Sequence, residues 1–294
     1  MWRIGLFGSS MVAAVGVCIA ASGAGISGRQ AATASAGQVA APPAVAKPIE
    51  PPAPFVPEGF TAIFNGRDLT GWHISTTNHH GTTPAYRVMH GVIVGTQNPF
   101  GQGGILLTDR KYKNLELYVE VKPDYGCDSG LFFRSSEAGE AYQVTMDYLP
   151  GGGMGGIYGE RLTGVGGRGN ARGAGRGAAA TTPPVPPATP PPPPVVGGIP
   201  LGSTTPQGTA AWMKAWKRED WNVVRVRFVG EVPHITVWIN DQQITDFTDT
   251  ANHAARGITE GPIAIQVHGG NRWVPGGLWR WRTIAVKELP ADAK

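Results

Sequence analysis

The chain has 294 residues, 43 of them glycine and 26 proline, with 16% charged residues and a formal net charge of +4. Much of the glycine and proline is concentrated in two tracts, so the remainder suits one domain of roughly 170 to 200 residues rather than two packed cores. Arg3, Arg161, Arg168, Arg172 and Arg176 lie in the leader or the Gly-rich tract, so the surplus charge marks no folded basic surface and gives no reason to expect a nucleic-acid partner.

In chain order, residues 1–24 carry a cation at Arg3, an apolar run from Ile4 to Ala21 and small residues after it, the layout of a secretory signal. Export to the periplasm or cell surface is expected, with no integral membrane domain left after cleavage. A short membrane anchor is the competing reading. Lipid attachment at Cys18 is a further alternative, which bulky Val17 disfavours. Residues 25–54 are rich in Ala and Pro and read as a tether.

From 55 to 290 a single domain is expected, with apolar residues recurring at every second position. In "NLELYVEVK", Leu115, Leu117, Val119 and Val121 share one face, and Glu116, Tyr118, Glu120 and Lys122 the other. "GVIVG", "SGLFFRS", "AYQVTMDY", "WNVVRVRFVG", "HITVWIND", "GPIAIQVHG" and "WRWRTIAVKEL" read as further strands, and Asn240-Asp241 marks a tight hairpin. No long segment of helical period competes. The Gly/Pro-rich tract at 164–208 cannot bury apolar area and is expected to be a disordered insertion. The predicted fold is all-β: two antiparallel sheets closed as a sandwich or jelly roll. Cys127 is the only cysteine beyond the leader, so no intramolecular disulfide is expected.

Alternation also sorts the polar residues. Gln143, Thr145 and Asp147 point away from Tyr142, Val144, Met146 and Tyr148, while Gln266 and His268 point away from Ile263, Ile265 and Val267. Arg134 falls on the side of Gly130 and Phe132. If these strands are neighbours, Arg134, Gln143, Asp147, Gln266 and His268 line one face. Such a set suits a sugar, whose vicinal hydroxyls take bidentate hydrogen bonds and whose apolar face stacks on aromatic rings such as Trp273, Trp279, Trp281 or Tyr158. His79-His80 with Glu58 or Asp68 is a weaker metal reading, because adjacent side chains on an extended segment point apart. There is no HExxH, CxxC pair or nucleophile elbow.

"EGFTAIFNGRDLTGW" (58–72), "GGILLTDRKYKNLELYVEVK" (103–122), "DSGLFFRS" (128–135), "YQVTMD" (142–147), "GGIYGE" (155–160), "AWKREDWNVVRVRF" (215–228), "HITVWINDQQITDF" (234–247), "GPIAIQVHG" and "WRWRTIAVKEL" follow one another in an order that resembles the 3-keto-disaccharide, or 3-keto-glucoside, hydrolase domain family. The resemblance covers about residues 58–163 and 210–290. It implies a concanavalin A-like jelly roll and an exported enzyme acting on glycosides already oxidised at C3, and leaves open whether a separate sugar dehydrogenase supplies that substrate.

On such a substrate the C3 ketone acidifies the C2 hydrogen, so a base removes it, the aglycone leaves from C1, and water adds back. Ordinary glycosidases instead need two carboxylates flanking the bond. The resemblance then makes His268 the favoured base, with Asp147 as its alternative or as an orienting carboxylate. Arg134, Gln143 and Gln266 become ligands of substrate or enolate, and Arg282 matches the arginine of the family's final strand. It leaves open whether a divalent ion held by His268 and Asp147 serves as Lewis acid. Three positions depart from the family: Gln143 stands for an acidic residue, Val267 for an Asp and Thr283 for an Asn. The alternative function is a non-catalytic carbohydrate-binding or scaffolding module, since jelly rolls host both.

Overall fold

The structure is a computed structural model that describes residues 55–147, 153–162, 199–202 and 206–293. The expected leader, the tether, Tyr148 and most of the insertion lie outside the described residues. Fifteen strands are present: β1 (Thr61–Ala62), β2 (Trp72–Ile74), β3 (Ala85–Met89), β4 (Val92–Thr96), β5 (Gly104–Thr108), β6 (Leu115–Pro123), β7 (Gly130–Phe133), β8 (Ala141–Met146), β9 (Met154–Glu160), β10 (Ile199–Gly202), β11 (Asn222–Val229), β12 (His234–Ile239), β13 (Gln242–Thr248), β14 (Ala264–Val267) and β15 (Trp279–Glu288). Among the described residues one α-helix, α1 (Pro206–Ala215), precedes β11, and a single 3-10 turn spans Ala255–Gly257.

The strands pair antiparallel into two sheets. The first runs β13-β12-β11-β6-β15-β4-β3, with β1 on β15; the second runs β10-β9-β8-β7-β14-β5-β2. Between them lies a core built from the inward residues of each alternating strand: Leu115, Leu117, Val119 and Val121 of β6 meet Leu131, Phe133, Val144, Met146, Ile265 and Val267 of the second sheet in one buried cluster. Asn240 and Asp241 join β12 to β13 with φ of 46° and 65°, the left-handed pair that a tight hairpin turn requires. The all-β jelly-roll expectation therefore holds.

Two local readings are corrected. The insertion does not run without regular structure to 208, because Ile199–Gly202 pairs with β9 and α1 begins at Pro206. At 10 residues the helix is too short to carry a long helical period in the sequence. Among its described side chains Ala211 and Trp212, with Trp216 just beyond, pack against the core. Proline at its first position has no helical amide to lose.

The outer face of the second sheet as candidate active site

Register partners share a face. Pairing aligns Tyr158, Gln143, Phe132, Ala264, Leu107 and His73 across β9, β8, β7, β14, β5 and β2, all on the side away from the core. Ile105, Leu107, Phe132, Ala141 and Ala264 form a small buried apolar cluster in this face. Beside it lies a polar group. The Gln143 amide donates to Gln266 Oε1 at 3.1 Å, and Gln266 Nε2 lies 2.9 Å from His80 Nε2. Gly130 lies beneath this bridge: a Cβ there would sit 2.2 Å from Gln143 Nε2, so the glycine leaves the space the amide crosses.

His268 follows β14 where the chain leaves the sheet. Its loop is pinned by buried Gln97, whose Nε2 donates to the carbonyls of His268 at 2.6 Å and Gly270 at 2.9 Å. His268 Nδ1 lies 2.6 Å from the Gly269 carbonyl. A carbonyl oxygen only accepts, so Nδ1 carries the proton and Nε2 keeps the lone pair. Burial pulls the imidazole's pKa below its ordinary 6.5, outweighing the Gly269 bond, and the ring is neutral near pH 7.

Nε2 faces Asp128, at 3.6 Å from Oδ2. Arg272 donates from Nε to the same oxygen at 3.2 Å and from Nη2 to Asp147. The guanidinium thus joins two carboxylates. Burial first, and then the Asp147 charge, push the Asp128 carboxyl well above the usual range. Burial lowers the Arg272 pKa, but Asp147 and Asp128 outweigh it and the net shift is upward. Tyr158 is half-buried beside Gln143, its phenol pushed up to about 12 by burial and by Glu160.

His268, Asp147, Gln143, Gln266 and Tyr158 are therefore gathered on one side of the sandwich. The other candidates are not. Arg134 was placed on this face by alternation, but its backbone turns left-handed at φ 49° immediately after β7, and the side chain is buried away from the face. It lies over the Phe228 ring at 4.9 Å and donates to the carbonyls of Gly230 and Glu231, in the β11–β12 connection of the first sheet. Trp273 is 3% exposed, with its indole bonded to Gly277 O, and Trp279 and Trp281 are fully buried in the core, so none of the three offers a stacking platform. Arg282 points outward from the opposite sheet, paired with Glu120 and lying 4.0 Å over Trp221.

The reading of His79-His80 as diverging is also corrected: their rings lie 4.0 Å apart, and His80 is 4.6 Å from His268. Glu58 and Asp68 play no part there; Glu160 does, with Oε1 2.9 Å from His79 Nε2. A divalent ion between His268 and Asp147 does not fit, because the Arg272 cation already joins Asp147 to the Asp128 carboxyl beside His268.

Asp128, Arg272 and Glu160 are the cleft residues the sequence reading missed, and His80 is one it set aside as part of a diverging pair. Asp128 had a usable signal, since it stands two residues before Gly130 and so shares its parity. Arg272 lies in a loop, where no period operates.

None of the curated proteins compared with this chain matches it. Among solved structures, two candidate glycosyl hydrolases from Parabacteroides distasonis are 17% and 16% identical to it, cover 79% and 78% of it and 95% and 99% of themselves, each with a TM-score of 0.46. The carbohydrate-binding module CBM66 from Bacillus subtilis is 9% identical, covers 73% of this chain and 93% of itself, and has a TM-score of 0.43. The family described as 3-keto-alpha-glucoside-1,2-lyase-like domain matches residues 59–287, nearly the whole of both sheets, and the chain belongs to that family.

Proposed function

We propose that the domain cleaves glycosides carrying a ketone at C3, at the outer face of the second sheet, by elimination followed by hydration. The observation that carries this reading is the His268 imidazole, fixed by Gly269 in the tautomer whose Nε2 lone pair faces the polar cleft. Nε2 takes the C2 proton. The electrons of that C–H bond form the C2–C3 enolate, whose oxygen receives the charge. They then expel the C1–O bond, leaving a C1–C2 double bond conjugated with the C3 ketone.

The departing aglycone oxygen needs a proton, and the Asp128 carboxyl, whose pKa burial raises well above the usual range, stands beside His268 as the group to give it. Arg272 with the Gln143–Gln266 pair supplies donors for the developing enolate and for hydroxyls. Water then adds across C1–C2 to give the free 3-keto sugar. Asp147 holds Arg272 in place. The substrate presupposes an earlier oxidation at C3 by another enzyme, and the leader motivates an exported setting.

The runner-up, a sugar-binding module without turnover, would depend on exposed tryptophans. Burial of Trp273, Trp279 and Trp281 favours the catalytic reading over it. In the assay, purified protein is given a 3-keto-glucoside with a chromogenic aglycone. Release is expected, with His268→Ala lowering kcat/KM by about 10²- to 10⁴-fold, the usual contribution of a positioned base. Sugar affinity without release, or release unchanged in His268→Ala, would overturn the proposal.

A further inference from the structure

We infer that His79, His80 and Glu160 form a binding site for one divalent transition-metal ion of the zinc class. The three side chains each bring a ligand atom, and these atoms lie within 4.8 Å of one another. Zinc sits about 2.0–2.2 Å from imidazole nitrogen and carboxylate oxygen, so atoms around one ion are at most roughly 4.4 Å apart. Closing the gap needs movements of a few tenths of an ångström to about 1 Å at each side chain. His79, on an exposed backbone, is free to make the largest of them. Two imidazoles with one carboxylate suit zinc, cobalt or nickel rather than calcium or magnesium. Three protein ligands leave a position open to solvent or a small ligand.

The remainder of the site is held in advance. His80 donates its amide to Asn78 Oδ1 at 2.9 Å, and its carbonyl accepts from Gly103 N at 2.8 Å. Gly269 packs against the same carbonyl, where a Cβ would come within 2.3 Å of the oxygen. Gln266 Nε2 donates to His80 Nε2 at 2.9 Å, so for His80 to ligate through its other nitrogen this amide turns its oxygen to the ring and accepts the Nε2 proton. Glu160 is buried on β9 opposite Ala141. Burial keeps the His80 pKa well below 6.5, so this ring is neutral near pH 7.

The binding claim stands without the catalytic proposal. Only the further role, polarising a sugar's C3 carbonyl beside His268, rests on it.

The test uses the untagged full-length chain after dialysis against a chelator, titrated with Zn²⁺ by calorimetry and with Co²⁺ by its visible absorption. One ion per chain is expected. His79→Ala and Glu160→Gln should each weaken binding by more than about 100-fold, beyond what loss of an outer-shell partner does. Asp147→Asn, and His73→Ala at the separate His73–Asp109–Glu137 cluster, should leave it unchanged. His79 is surface-placed and Glu160→Gln conserves shape, so folding is preserved in both. No saturable binding, binding that survives both ligand variants, or loss in His73→Ala or Asp147→Asn would refute the site. Metal binding without sugar turnover would refute the catalytic reading and leave the site standing.

Discussion

The two outer faces of the sandwich follow the same alternation and carry the same kinds of residue, yet they are chemically unlike. On the first sheet Arg282 pairs with Glu120, Arg280 with Asp124 at 2.7 Å and Arg227 with Glu116 at 3.9 Å, while Arg225 lies 4.8 Å over Trp238. Each of these charges meets an opposite charge or a ring, with solvent close at hand. On the second sheet the loops around 78–80, 97–103 and 268–272 rise over the strands and take titratable groups out of water. There the His80 and His268 pKa values move down, and those of Asp128 and Tyr158 move up. Polar residues at alternate positions mark a face; desolvation by the flanking loops makes it a site.

The comparison can be broken from either side. The largest effect on stability is expected from the core that both faces share. Trp279→Ala removes a fully buried indole whose Nε1 donates to Cys127 O at 3.0 Å, and urea denaturation should show a loss of about 3–5 kcal/mol. Preserved stability with lost sugar affinity would return that tryptophan to a binding role.

On the first sheet, Arg282→Ala should lower stability by up to about 1 kcal/mol, the scale of a part-exposed ion pair, and leave kcat/KM for a 3-keto-glucoside within about twofold. A large loss of turnover there would put chemistry on the wrong face.

Smallest of all is the effect at the rim of the second sheet. His73 is held by Asp109 at Nδ1 and Glu137 at Nε2, both at 2.6 Å. Burial opposes its charge, but the bonds to Glu137 and Asp109 outweigh it and raise its pKa above 6.5. Its contribution is therefore complete below pH 6.5 and lost as pH rises through the raised value. Since the ring is part-exposed, His73→Gln should cost about 0.5 kcal/mol at pH 5.5 and almost nothing at pH 9. An equal loss at both pH values would mean that the charge does not matter.

Period-two reasoning read the sheets well because strand pleating is a local property of the chain. It put His268, Gln266, Gln143 and Asp147 on one face for the same reason. It failed at Arg134, where one left-handed residue reverses the direction of a side chain without altering the sequence pattern. It also failed at the tryptophans, because an indole in an alternating strand looks alike from either side until a second sheet covers it. Asp128, Arg272 and His80 stand on loops or strand ends, and their meeting depends on contacts far apart in the chain, such as Arg272 with Asp147. The missed helix belongs with these, since 10 residues are too few to show a helical period.

The central claim is that an unprotonated imidazole after β14 takes a proton from C2 of an oxidised sugar. The most direct measurement is turnover of a 3-keto-glucoside in heavy water, followed by mass and NMR analysis of the sugar released. The account predicts one deuterium at C2 in the product of the wild-type protein and none formed by His268→Ala. Cleavage that leaves the original C2 hydrogen in place would contradict it.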